Sequence, residues 1–156
     1  GYSPEEKKEN YETNHKPLAD KYEVPLRPAG GDYRTTNAHL ATFYARDMDK
    51  FREFRDRIYK ARWVDDLDLE SPDVLAQCGE EIGLDGGEIK KVIAEKRYLP
   101  LLHSQRAQGK SMGIYGIPSF AVQGKIFWGK DVIDDVKAEV ARLKEEKLAE
   151  QEKQEN

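Results

Sequence analysis

Apolar residues recur at three- and four-residue spacing along most of the chain, which is the spacing of amphipathic helices. One such stretch places Met48, Phe51, Phe54 and Ile58 on one face, opposite basic and acidic side chains. We interpret it as a helix that packs against a core and turns its charged face to solvent. Similar stripes recur over residues 36–46, 71–83, 87–108 and 131–143. The pattern therefore predicts a predominantly helical chain.

Several helix boundaries are marked by residues that cap helices or interrupt them. Ser3 begins a capping-box pattern, and Pro17 is expected to kink or restart the first helix. Asn37 is expected to cap the second helical block and Asp47 the third, since their side chains accept bonds from the first backbone amides of a helix. Ser71, followed by Pro72, is a further helix start.

Residues 113–131 read GIYGIPSFAVQGKIFWGKD and break the helical pattern. Ser119–Val122 and Lys125–Trp128 are two short apolar runs joined by Gln123 and Gly124. A two-residue connection with glycine second is typical of a tight β-hairpin, because these turns need positive φ angles. Pro118 stands directly before the first run, where a strand tolerates proline. A hairpin followed by a terminal helix is predicted.

The predicted elements define an α+β fold that is predominantly helical. We expect an N-terminal helix and extended linker over residues 1–35, and a helical subdomain over residues 36–112. The hairpin and terminal helix occupy residues 113–143. Residues 144–156 form a charged tail that either continues as an exposed helix or frays.

Composition limits the class of protein and its partners. At 156 residues the chain is one domain's worth of sequence. The net charge is −4, with basic and acidic residues interleaved throughout, so we expect no nucleic-acid partner. No apolar run approaches the length of a membrane span, and we expect no membrane insertion.

The residue types that carry metal or redox chemistry are sparse. Cys78 is the sole cysteine, which excludes an internal disulfide and a Cys-X-X-Cys pair, and it lies on an apolar helix face. The acidic residues 65–70 lack the glycine and terminal glutamate of a calcium loop. The three histidines are not paired at ligand spacing. We therefore expect no metal site and no catalytic residue.

The stretch Gly113–Asp131, with its Ile-Pro, aromatic strand and Phe-Trp-Gly-Lys-Asp ending, resembles the C-terminal signature of the DsbA-like thioredoxin-fold family. Within that family it is nearest the branch of 2-hydroxychromene-2-carboxylate isomerases and kappa-class glutathione transferases. NAHLA at residues 37–41 and DLESPDVL at residues 68–75 are similar to two upstream motifs of that branch. The resemblance covers residues 15–143.

The resemblance implies a binding site for thiol compounds. Pro118 would be the family's cis proline, and the backbone of Ile117 would bond a thiol compound or the cysteine part of glutathione. Lys130 and Asp131 would lie near the γ-glutamyl part, although Asp131 equally suits a helix N-terminus. Asn37 would be first a cap and second a neighbour of the active site. Glutathione is the one cofactor that the resemblance allows, and none is required.

The family pattern opens with a βαβ unit whose loop bears a catalytic serine or cysteine, and no stretch here matches it. We therefore expect this unit to be absent and the thioredoxin fold to be incomplete. Ser119 is a poor substitute, since it follows Pro118 inside a strand with no histidine or lysine positioned beside it in the motif. A thiol-disulfide oxidoreductase is excluded, because it needs a cysteine pair.

Two hypotheses follow. In the first, the chain has lost its nucleophile and serves as a structural or interaction subunit of a larger assembly, such as a supernumerary subunit. In the second, it belongs to a glutathione-dependent isomerase or transferase whose N-terminal catalytic half is another chain or lies outside this sequence. Either way, we expect the chain alone to be inactive.

The predicted hairpin also needs a partner. The strand edge near Ser119–Val122 would expose unpaired backbone groups beside apolar side chains. The chain's own residues 24–27 could cover it but contain Pro25, so a protein partner or a second copy is the better candidate. The lone thiol and the related branches favour a reducing compartment, mitochondrial or cytoplasmic, over secretion.

Overall fold

The computed structural model describes residues 3–28 and 34–154, with side chains through residue 151. The described elements are mostly helices, with one short sheet of two strands. In chain order they are α1 (Pro4–Asn10), a π-helical turn (Tyr11–His15), α2 (Lys16–Lys21), α3 (Thr36–Asp47), α4 (Phe51–Trp63), α5 (Pro72–Glu80), α6 (Gly86–Ala94), α7 (Leu99–Ser111), β1 (Ser119–Val122), β2 (Lys125–Trp128), a 3-10 turn (Lys130–Val132) and α8 (Ile133–Gln154).

The N-terminal helix begins and breaks where the sequence predicts. The Ser3 hydroxyl accepts from the Glu6 amide at 3.2 Å, and the Glu6 carboxylate accepts from the Ser3 amide at 2.7 Å, which completes a capping box. The π-helical turn ends at His15, two residues before Pro17, which is the second residue of α2. Proline lacks an N–H and crowds the carbonyl four residues earlier, so the helical bonding shifts there.

The chain divides into two compact units, Gly1–Leu102 and His103–Asn156, which we call the helical unit and the hairpin unit. The core of the helical unit is formed by α3 to α6 and their connections. Phe54 is fully buried at its centre. Also fully buried are Leu40, Leu75, Ile89, Val92 and Cys78.

The stripe predicted over residues 48–58 is only half buried. Phe54 and Ile58 lie in the core, but Met48 and Phe51 are exposed. Met48 is not part of α4: it ends α3, and the following Asp49 has a φ of 56° that turns the chain before α4 begins. The helical spacing therefore does not run through these two positions.

The expected capping role of Asp47 is wrong. The residue before α4 is Lys50, which makes no side-chain cap. Asp47 instead closes α3, where its carboxylate accepts from the Tyr98 hydroxyl at 2.7 Å. By contrast, Ser71 does cap α5, with its hydroxyl accepting from the Val74 amide at 3.4 Å. Asp85 caps α6 in the same way, at 3.0 Å from the Glu88 amide.

The hairpin unit contains the predicted hairpin at the predicted positions. β1 and β2 pair antiparallel, with Val122 opposite Lys125 and Phe120 opposite Phe127. Gln123 and Gly124 have φ angles of 49° and 84°, as a tight turn with two left-handed residues requires.

The helix after the hairpin is longer than the predicted terminal helix. α8 packs against β1 and continues through Gln154, so the charged tail is helical rather than frayed. Across the described residues of the hairpin unit, none is buried. The described part of the chain also contains no helix that is long and apolar enough to cross a membrane.

Candidate functional site

The candidate site is the loop that leads from α7 into β1. After α7 ends, Gly113 adopts a φ of 79° and the Ile114 amide donates to the Gly109 carbonyl at 2.9 Å, which closes the helix. The chain then reaches Ile117, whose side chain is 92% exposed. The peptide bond between Ile117 and Pro118 is cis in the structure. The loop therefore presents its backbone at the surface of the hairpin unit.

The register of the hairpin decides which backbone groups are available. A two-residue turn makes Val122 and Lys125 a hydrogen-bonded pair, and alternate pairs along an antiparallel ladder are bonded in the same way. The ladder continues one step beyond the strands, where the Gly129 amide donates to the Pro118 carbonyl at 3.0 Å.

The backbone N–H and C=O groups of the residues between the bonded pairs point away from β2. The backbone groups of Ser119 and Ala121 therefore face away from β2, and we call this side of β1 the open edge. No other segment of the described chain bonds to it. An edge of this kind can accept an extended backbone.

The Trp128 ring packs closely against the loop at Gly116. A Cβ added at Gly116 would overlap the indole Nε1 of Trp128, so only glycine allows the loop to approach this ring. Trp128 is 62% exposed, so it is not part of a core. Phe127, on the opposite face, is half-buried.

Ser119 has a structural contact at this loop. Its hydroxyl donates to the Gly116 carbonyl at 2.6 Å and so closes the turn around Pro118. A serine nucleophile needs a neighbouring base that takes its proton. The bond to a carbonyl oxygen does not supply one.

Lys130 and Asp131 follow the hairpin in the 3-10 turn that precedes α8. The Lys130 ammonium lies 2.9 Å from an Asp131 carboxylate oxygen, and both side chains are largely exposed. Exposed ion pairs contribute little to stability, so either side chain can reorient towards a ligand. The position of Asp131 also agrees with an acidic residue near a helix start.

Asn37 belongs to the helical unit, and its expected capping role is wrong. It lies inside the first turn of α3, and Thr35 precedes the helix without a side-chain cap. The Asn37 side-chain amide donates to the Glu70 carbonyl at 2.7 Å, and its backbone amide lies 3.3 Å from the Glu70 carboxylate. Asn37 therefore ties the start of α3 to the connection before α5.

In the part of the chain that the structure describes, neither the cysteine nor the metal-ligating side chains form a second site. Burial raises the pKa of the Cys78 thiol, although Arg57 partly opposes this effect, so the sulfur stays protonated and packed in the core. Within residues 3–28 and 34–151, no group of three metal-ligating side chains is close enough to hold an ion.

A charged cluster that the sequence analysis did not identify holds the hairpin to α8. The Glu139 carboxylate lies 2.8 Å from the Arg142 guanidinium and 3.1 Å from the Lys125 ammonium. Its hydrogen bonds to Arg142, the larger effect, and to Lys125 lower the pKa of Glu139 from 4.5 to about 2. Lys125 is on β2, so this cluster orients the hairpin on the helix that follows it. The i, i+3 spacing of Glu139 and Arg142 was visible in the sequence, but the long-range partner was not.

Comparison with known proteins places this geometry in a family. The model of the DSBA-like thioredoxin domain matches residues 4–141. A 2-hydroxychromene-2-carboxylate isomerase of Sphingobium xenophagum is 31% identical over 117 residues, covering 74% of this chain and 59% of that protein. An uncharacterized protein of Bacillus subtilis (strain 168), YwbO, is 24% identical over 130 residues, covering 80% of this chain and 65% of that protein.

The fold is also similar to a solved one. A structure of a 2-hydroxychromene-2-carboxylate isomerase superposes with a TM-score of 0.80 at 15% identity, covering 96% of this chain and 74% of that chain. The chain thus spans about three fifths of the length of the two curated relatives. The family match extends from α1 into α8, and it includes the loop at Pro118 and the hairpin. The chain belongs to the DsbA-like thioredoxin domain family.

Proposed function

We propose that this chain is a recognition unit of the DsbA-like family that contributes a binding surface but no nucleophile of its own. The open edge supports this proposal. Ser119 and Ala121 present backbone donors and acceptors that the described part of the chain does not use, and the exposed Ile117 lies directly before them. Main-chain groups along an exposed edge bind extended polypeptides, including the short peptide of a thiol compound.

A small thiol peptide and a strand of a partner would bind at different positions along this edge. Ile117 lies at the loop end, where its exposed backbone is available to a small thiol peptide such as glutathione. Lys130 and Asp131 carry opposite charges beyond β2, and the γ-glutamyl group of glutathione has both an ammonium and a carboxylate. Ser119 and Ala121 lie further along β1, where a strand from a protein partner or a second copy would pair.

The environments of two candidate nucleophiles among the described residues, Ser119 and Cys78, support the absence of a nucleophile. The Ser119 hydroxyl is bonded to a carbonyl, and the Cys78 thiol is buried with a raised pKa. A structural or interaction role within a larger assembly is therefore the function we favour. The chain alone is expected to show no glutathione-dependent turnover.

A titration of the ¹⁵N-labelled chain with glutathione tests the binding surface. We expect chemical-shift changes confined to the amides of Ile117, Ser119, Lys130 and Asp131. The serine analogue γ-glutamyl-seryl-glycine is the matched ligand, and it should bind through the same backbone groups with little loss. Absence of any change at Ile117 up to millimolar glutathione would refute the small-ligand part of the proposal.

The strand-pairing part has its own test. In Ala121→Pro the lost N–H is one that faces the open edge, so the hairpin should fold while the edge can no longer pair. Phe120→Pro is the matched control, because that N–H belongs to the ladder with β2. Native mass spectrometry should show the unaltered chain bound to a second copy or to a protein partner, and should show only monomer for Ala121→Pro. An assembly that persists in Ala121→Pro contradicts pairing at this edge.

The alternative is that the assembled protein is a glutathione-dependent isomerase or transferase. The 31% identity to an isomerase favours it, with the catalytic serine or cysteine on another polypeptide or on sequence outside this chain. Isomerisation of a hydroxychromene carboxylate by an assembly that contains this chain would support this alternative. Turnover that survives Ala121→Pro would argue against joining at the open edge.

A further inference from the structure

A groove on the outer face of α4 is distinct from the loop and hairpin described above. It lies within the helical unit, between α4 and the extended residues 24–26, and has a volume of about 670 Å³. We call it the α4 groove. Tyr59 and Trp63, one helical turn apart, line one side and Val24 and Leu26 line the other.

The two walls are fixed to each other by hydrogen bonds. The Arg27 amide donates to the Trp63 carbonyl at 2.8 Å, and the Arg27 guanidinium donates to the Val64 carbonyl at 3.0 Å. From the other side, the Tyr11 hydroxyl donates to the Leu26 carbonyl at 2.9 Å. The groove is therefore formed by the fold itself and does not require a ligand to open it.

The lining is suited to an organic molecule rather than to water. Its walls are almost wholly apolar atoms, and its volume lies in the usual range for small-molecule sites. Tyr59 remains 62% exposed and Trp63 38% exposed, so large ring surfaces stay in contact with solvent. Covering these rings would be favourable in proportion to the apolar area removed from water.

The charge at the groove favours an anionic group on the ligand. The charged residues that line the groove are Arg55, Asp56 and Lys60, so the lining carries a net charge of +1 although the whole chain carries −4. Arg55 pairs with Asp56. Lys60 lines the groove and, in the part of the chain that the structure describes, makes no ion pair.

We propose that the α4 groove binds an amphipathic organic anion, with an apolar chain or ring system against Tyr59 and Trp63 and a carboxylate or sulfonate at Lys60. A neutral molecule would use the same walls but leave the ammonium without a partner. A cation would be repelled. This binding site is independent of the function proposed for the open edge.

Fluorescence titration with 8-anilinonaphthalene-1-sulfonate, followed by displacement with octanoate, tests the proposal. The chain has two tryptophans, so Trp128→Phe leaves Trp63 as the single reporter within the groove. In that variant we expect saturable binding of the probe with a change in Trp63 emission, reversed by octanoate. Binding that leaves Trp63 emission unchanged places the probe elsewhere and overturns the site.

Lys60→Gln tests how much the lysine charge contributes to binding of the anion. It should weaken octanoate binding by roughly three- to fivefold, the effect of one exposed ion pair, and leave displacement by neutral 1-octanol unchanged. Lys137→Gln, in the hairpin unit, alters the net charge equally and should behave like the unaltered chain. Circular dichroism checks that each variant is folded. Equal octanoate affinity in Lys60→Gln and Lys137→Gln overturns the assignment of the anion to Lys60.

Discussion

The helical unit and the hairpin unit differ in how they bury apolar surface. In the helical unit, α3 to α6 enclose a continuous core around Phe54. In the hairpin unit, Phe120 and Phe127 are only half-buried, and Trp128 is mostly exposed. A hairpin with one helix on it has a single covered face, and two strands alone are marginally stable in water.

The two units therefore differ in how completely the described chain covers their apolar surface. A core that is complete within the described residues stabilises the helices without outside help. The hairpin has an unused edge and exposed aromatic surface, which are the features of a surface that pairs with another segment. This comparison of the two units can be tested by matched substitutions.

The largest expected difference is between two phenylalanines. Phe54→Ala should destabilise the helical unit by about 3–5 kcal/mol, since the residue is fully buried and leaves a cavity. Phe127→Ala should cost less than about 2 kcal/mol, because the ring is already partly in water. Urea unfolding followed by circular dichroism measures both. Equal costs would show that the hairpin unit has a core comparable to that of the helical unit.

A second pair of variants compares how easily each unit accommodates an added methyl group. A Cβ at Gly79 would overlap Ile89 Cδ1 in the core, and a Cβ at Gly116 would overlap the Trp128 ring. Ile89 is enclosed and cannot move without displacing neighbours, so Gly79→Ala should cost about 1–3 kcal/mol.

The Trp128 ring can swing into solvent. Gly116→Ala should therefore change the tryptophan emission spectrum while the unfolding midpoint moves little. Thermal unfolding and steady-state fluorescence of the two variants check this. A large loss of stability in Gly116→Ala, without a spectral change, would mean that the loop is as rigid as the core.

Much of this arrangement could be predicted from the sequence. The hairpin positions, the capping box at Ser3 and the burial of Cys78 depend on local patterns, and all three predictions are confirmed. The errors have a common cause. Helical spacing groups Met48 with α4, and the side-chain type of Asp47 suggests a helix cap, but the chain turns at Asp49, whose backbone conformation neither rule reveals.

The site was only partly predictable for a similar reason. Ile117 and Pro118 stand next to each other in the sequence, so the loop could be identified from the motif. The partner of Asn37, the Glu70 carbonyl, is a long-range contact. The exposure of Trp128 depends on what covers the sheet rather than on the alternation of apolar residues. The sequence pattern contains no information about such coverage.

Helix ends offer a smaller test within the helical unit. Asp85→Ala should cost about 1 kcal/mol, because it removes the cap from α6 and leaves the Glu88 amide without its acceptor. Asp73→Ala is the control: this carboxylate pairs with Lys90 at 2.6 Å, but both side chains are exposed and the pair contributes little. Urea unfolding should separate the two variants, and a larger loss for Asp73→Ala would contradict this ranking.

The smallest expected effect is the pH dependence of the cluster that holds the hairpin on α8. The folded-state pKa of Glu139 is lowered from 4.5 to about 2 by Arg142 and Lys125. A lowered carboxylate pKa means that the stabilisation is fully present above about pH 4.5 and is lost as the pH falls through about 2.

Glu139→Gln should therefore lower the thermal midpoint by a constant amount from pH 5 to neutrality, and the difference from the unaltered chain should shrink between pH 4.5 and 2. High salt should reduce the difference at neutral pH, since the Lys125 and Arg142 side chains are largely exposed and their charges are screened. Carbon NMR of the Glu139 carboxyl measures the titration directly. An ordinary midpoint near 4.5 would show that the hairpin is not held to α8 through this carboxylate, and the hairpin unit would then depend even more on what pairs with its open edge.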